Sequence, residues 1–137
     1  MRRPASLFLL PAVALALAAC GDEEIERAEI PVGAVFVSQV ISRDLVLSDV
    51  PDSARVTLTF TTDSTLTLDL PPNTCLFAIE RLDLATWHIR REGSGCTEAC
   101  CSDPLADEIV AVLAGGEFSL DEGTVTARDG RVAVVFD

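Results

Sequence analysis

The sequence predicts a mainly β domain: a small antiparallel barrel-like or strongly curved sheet with one amphipathic helix packed against it. Two observations carry this expectation. Apolar residues alternate with polar ones through Val56, Leu58 and Phe60, then Leu66, Leu68 and Leu70, and again through Val132, Val134 and Phe136, which is the period of a strand with one buried face. A single stretch departs from that period, with Leu105, Ile109, Val112 and Leu113 recurring at helical spacing.

The chain opens with features of export. Arg2 and Arg3 form a positive start, residues 7–17 an apolar run, and Leu17-Ala18-Ala19-Cys20 ends it in small residues before a thiol. The run is shorter than the roughly 20 residues a helix needs to span a bilayer. Residues 1–19 are therefore expected to be a lipoprotein signal peptide and Cys20 the lipidated residue, because the tetrapeptide resembles a lipobox. Lipid on Cys20 would make a membrane the first partner, in a cell envelope. Gly21 rather than Asp follows the thiol, which favours the periplasmic face of the outer membrane in a Gram-negative host. Residues 20–31 are charged and nearly featureless, and are expected to be a mobile acidic tether.

The β domain is then expected over residues 32–137. A first strand is placed at residues 33–41, rich in Val and Phe. A hairpin turning at Asp63-Ser64 follows, and Pro71-Pro72-Asn73 ends it, since proline supplies no ladder donor. Residues 75–91 read as a hairpin turning near Ala85-Thr86, with one strand over residues 82–90 as the alternative. Ser102-Asp103-Pro104 is a helix start, a capping side chain followed by proline in the first turn, and Gly115-Gly116 is its stop. Phe118 and Leu120, a turn at Glu122-Gly123, Val125, a turn at Asp129-Gly130 and the last alternating run complete the sheet. The expected core is Val56, Leu58, Phe60, Leu66, Leu68, Ile109, Leu113, Phe118, Leu120, Val134 and Phe136.

Charge excludes some partners. Ten arginines, no lysine and 22 acidic residues give a net charge of −12, and loss of residues 1–19 would leave eight arginines against 22 acids, or −14. Binding nucleic acid or anionic lipid headgroups needs clustered positive charge, so both are expected to be repelled. Four cysteines besides Cys20, namely Cys75, Cys96, Cys100 and Cys101, are expected to form two disulfides in an oxidising envelope. Of the three pairings, Cys75–Cys96 is disfavoured because it leaves Cys100 and Cys101 to close a strained ring between neighbours. The other two stay open on the residues alone.

Gly33 with Phe36-Val37-Ser38, the segment Arg55-Val56-Thr57-Leu58-Thr59-Phe60, Asn73-Thr74-Cys75, Thr97-Glu98 with Cys101, the helix carrying Asp107-Glu108, and the closing strands around Asp129-Gly130 together resemble the META-domain family. Its bacterial members include HslJ-like outer-membrane lipoproteins. The resemblance spans roughly residues 32–137 and implies an antiparallel barrel-like fold with one helix, linked with envelope stress but with no established reaction. Thr74 and Leu76 depart from the family's glycine and asparagine around the first cysteine, and Cys96 and Cys100 are additions. The family's cysteine pair falls on Cys75 and Cys101, so the resemblance implies Cys75–Cys101, with Cys96–Cys100 as the second bond.

Chemistry is sparse. His88 is the only histidine, it lies beside Trp87, and no serine sits in a Gly-x-Ser-x-Gly turn, so nucleophilic hydrolysis has no evident base and nucleophile. The acidic pairs Glu23-Glu24, Asp107-Glu108 and Asp121-Glu122 are ordinary for so acidic a chain. Cys96, Cys100 and Cys101 with Cys75 or His88 suit a soft metal, but disulfides compete. No catalytic residue, metal or cofactor is expected. The expectation is a non-enzymatic, lipid-anchored accessory or interaction domain with an envelope protein as partner. A small-barrel carrier of an apolar ligand is the alternative, and an envelope hydrolase the third reading.

Overall fold

The computed structural model describes residues 26–97 and 102–137. The expected export signal, Cys20, Cys100 and Cys101 lie outside the described residues.

The architecture is a closed eight-stranded antiparallel barrel, with one strand outside it and a single helix packed against it. In chain order the strands are β1 Val35–Arg43, β2 Val46–Asp49, β3 Thr57–Thr62, β4 Thr65–Leu70, β5 Asn73–Arg81, β6 Thr86–Cys96, β7 Glu117–Asp121, β8 Thr124–Asp129 and β9 Val132–Phe136, with helix α1 at Pro104–Gly115. Each barrel strand from β3 to β9 pairs with the next, and β1 closes the circle by joining β3 on one edge and β9 on the other. Closure removes the exposed edges that an open sheet of these strands would present.

Strand β1 changes neighbour partway. Residues 35–37 pair with β3, whereas residues 40–43 pair with β2, which therefore lies outside the barrel. Ser38 sits at the switch, fully buried, and its Oγ accepts the Val56 N–H at 2.9 Å. Burial of that hydroxyl is tolerated because it is bonded.

Alternation places the core. One inward row runs through Ile41, Val134, Ala127, Phe118 and Trp87 on β1, β9, β8, β7 and β6, and all five are buried. The neighbouring outward row holds Ser42, Ala133, Arg128, Glu117 and His88. Aromatic rings bridge the interior: Trp87 stacks on Phe118 at 5.8 Å, Phe118 meets Phe60 at 6.0 Å, and Phe60 meets Phe36 edge-on at 5.9 Å.

Helix α1 starts and stops where the residues predict. Asp103 caps it by accepting the Leu105 N–H at 2.8 Å, and Pro104 occupies the first turn. Ala106, Ile109, Val112 and Leu113 are buried against the barrel, while Leu105 is only half-buried because Ala106 takes the inward position. The helix touches β4, β6, β7, β8 and β9, so it lies across one end of the barrel. Gly116 is required by a close approach, since a Cβ there would stand 1.9 Å from the Arg128 carbonyl oxygen.

Several boundaries differ from expectation. The first strand is Val35–Arg43 rather than residues 33–41. The β5–β6 hairpin forms, but its turn is residues 82–85 and β6 extends to Cys96. β2 was not expected, because a strand with all four residues exposed has no buried face to impose alternation. The expected tether is docked at its end: Ala28 and Ile30 pack on the core, and the Ala28 N–H donates to the Leu84 carbonyl at 3.0 Å. Every residue of the expected core is buried except Leu120, which is half-buried near the β7–β8 turn.

Phe60→Ala is expected to lower unfolding free energy by about 3–5 kcal/mol, because it removes the middle ring of the aromatic bridge and leaves a cavity. Leu120→Ala, at a half-buried position, should cost only about 1–2 kcal/mol. Urea unfolding of both variants checks the order; equal losses would contradict it.

Candidate functional site

The two ends of the barrel differ in chemistry. At one end, the turns between β3 and β4, β5 and β6, and β7 and β8 gather with the incoming residues 26–34. Arg81 organises this end: it stands 4.4 Å from the Trp87 ring centre and donates to the carbonyls of Ala28 at 2.7 Å and Leu84 at 2.8 Å. The cation over the indole face and the satisfied carbonyls make this a closure.

The other end carries α1 and the tips of two hairpins. Arg43, at the end of β1, holds Glu108 of α1 through two hydrogen bonds of 2.8 and 2.6 Å. That forked contact favours the charged carboxylate, so the Arg43 hydrogen bond holds Glu108 below the usual glutamate range. The β1–β2 turn is Asp44-Leu45, and both residues have positive φ, 50° and 69°. Its neighbour is the β8–β9 turn at Gly130-Arg131. The Asp44 N–H donates to the Arg131 carbonyl at 3.2 Å, and Arg131 Nη1 pairs with Asp44 Oδ1 at 3.2 Å.

Between the two turns runs a groove of about 520 Å³, lined by Ser42, Asp44, Leu45, Arg128, Val132 and Ala133, with Gly130 and Arg131 at its rim. Leu45 is 95% exposed, and Val46 and Leu47 beside it are 67% and 72% exposed. The groove was not legible in the sequence, because it is assembled from turns about 85 residues apart. A signal did exist in Asp44-Leu45, where a tight hairpin turn favours Asp-Gly.

The residues singled out in the sequence do not converge on a reactive centre. Cys75 and Cys96 form a disulfide with each other, which corrects the expected Cys75–Cys101 and Cys96–Cys100 bonds and also excludes Cys75–Cys100 with Cys96–Cys101. The reason is register: Cys75 and Cys96 are directly opposed on β5 and β6, and the long β6 needed to place Cys96 there was not foreseen. Cys100 and Cys101 lie outside the described residues.

His88 faces outward, with its Nε2 3.4 Å from Glu80 Oε2 and Glu117 opposite it on β7. The carboxylate pairs separate: Glu108 faces Arg43, Asp107 accepts from Ser102 Oγ, and Asp121 and Glu122 are exposed at the β7–β8 turn. Glu23-Glu24 lies outside the described residues. Among the described residues no three metal-binding side chains cluster, and no helix is long and apolar enough to cross a membrane.

The strand order and the helix across one end define the chain's class as an antiparallel barrel closed at one end by a helix. No known family profile matches it, and no curated protein matches it. A solved structure, described as "NMR structure of the protein from Burkholderia xenovorans", is similar with a TM-score of 0.57 at 14% identity, over 100% of this chain and 97% of that one. At that identity the likeness concerns the fold.

A non-reducing peptide map is expected to recover the Cys75–Cys96 bond, and a fragment joining Cys75 to Cys101 would contradict the register. The acid limb of stability should also report on Glu108. A carboxylate whose folded value is lowered contributes stability above the ordinary glutamate range and loses it as pH falls through the folded value. Glu108→Gln should therefore lower stability near neutrality and lose less on acidification than the parent, measured by thermal unfolding across the acid range. Parallel curves would show that the Arg43 contact is without weight.

Proposed function

We propose that the protein is a non-enzymatic, lipid-anchored accessory domain of the cell envelope, acting through its outer surface on an envelope protein. The observation that carries this reading is the filled interior. Trp87, Phe60, Phe118 and Phe136 are each at most 2% exposed and occupy the space in which a small barrel would hold a ligand. That favours an accessory role over a carrier binding between sheet and helix. His88, on the outside with Glu80 rather than beside a nucleophile, gives a hydrolase reading no support. The lipid anchor rests on Leu17-Ala18-Ala19-Cys20 and the apolar run before it. The resemblance to META-domain lipoproteins supports the same setting, with the outer membrane as the site in a Gram-negative host.

Growth with radiolabelled palmitate tests the anchor. Label is expected in the protein and should disappear in Cys20→Ala; label that survives the substitution would overturn lipidation at this residue. Crosslinking in intact cells should then join the lipidated protein to an envelope protein.

A further inference from the structure

We propose that the groove between the β1–β2 and β8–β9 turns binds a single-chain amphiphilic anion, an acyl chain ending in a carboxylate or phosphate. This goes beyond the accessory role and does not depend on the lipid anchor.

Three independent observations meet there. The first is strain. Leu45 has φ 69°, in the left-handed region that is unfavourable for a residue with a Cβ. Glycine would relieve it at this turn position, and strained backbone persists mostly where function holds it. The second is exposure. This strained residue is also the most exposed large apolar side chain described, at 95%, and Leu47, opposite Ser42 on the same face, is 72% exposed. Water gains nothing from that arrangement, whereas an acyl chain laid over it does.

The third is charge. Arg128 and Arg131 border the groove against one carboxylate, Asp44, so the lining is net positive in a chain of net charge −12. Arg131 is paired with Asp44, while the Arg128 side chain makes no ion pair among the described residues. Arg128 lies on the outer face between Glu117 on β7 and Ala133 on β9, and Ala133 in turn faces Ser42, so small residues adjoin the arginine on its groove side. Val132, Ala133 and Leu45 would contact the chain. Arg128 would hold the head group by the forked geometry that suits carboxylate and phosphate alike. A volume of about 520 Å³ is in the range of small-molecule sites.

The test uses the full chain with phosphatidylcholine vesicles present and a photoreactive dodecanoate as probe, with the photoreactive dodecanol analogue as the uncharged control. Dodecanoate is expected to label Asp44, Leu45, Leu47 and residues 130–133, with dodecyl phosphate competing and inorganic phosphate not competing. Competition from phosphatidylglycerol vesicles as strong as from dodecyl phosphate would assign the anion to a membrane surface and overturn the free single-chain ligand. Arg128→Gln should weaken labelling about tenfold, the loss of one charge-assisted contact. Leu45→Gly should weaken labelling while raising the thermal midpoint, which separates a lost ligand contact from a damaged fold. Equal labelling by the alcohol and the acid, labelling confined to other surfaces, or labelling unchanged in both variants would overturn the proposal.

Discussion

The interior aromatic bridge is the contact on which the rest of the barrel depends. Trp87 on β6, Phe118 on β7, Phe60 on β3 and Phe36 on β1 form a chain of ring contacts that crosses from one wall to the other. A small barrel needs a filled centre, because its strands have no second sheet to pack against. The bridge supplies that filling and fixes the spacing of opposite walls. Arg81 continues it at one end, lying on Trp87 and tying the incoming chain through Ala28.

With the centre filled, the two ends of the barrel differ in how they are closed. One end is closed by Arg81 and residues 26–34. The other is covered by α1, whose apolar stripe seats on the barrel while Glu108 reaches the end of β1. Anchoring β1 in this way holds the Asp44-Leu45 turn against the β8–β9 turn, and the groove between them follows from that juxtaposition. The Cys75–Cys96 bond acts elsewhere, locking the long strand β6 to β5 before the chain leaves for the helix. Filling, plug and crosslink thus leave the outer surface, rather than the interior, as the accessible part of the barrel.

Much of this was legible in the residues. Alternation in β3, β4, β7 and β9, together with the Asp103-Pro104 start of α1 and its helical spacing, determined the mainly β class, the helix and ten of the eleven expected core residues. Those signals are local, arising from a strand's two-residue period and from capping chemistry that acts within a turn.

Tertiary structure decided what depends on register and closure. Strand β2 has no buried face, so no pattern marks it, and its place was set only when Ser38 shifted the pairing of β1. The disulfide followed from the opposition of Cys75 and Cys96, a relation between strands that the count of cysteines does not contain. Leu120 had the alternation of a core residue, yet it lies near a turn where the barrel no longer covers it. Closure through β1 and β9 brought Asp44-Leu45 beside Gly130-Arg131 and so created the groove. Periodicity tells each residue which face it occupies, whereas contact between residues far apart in the chain is fixed by which strands become neighbours, and that is a property of the whole barrel.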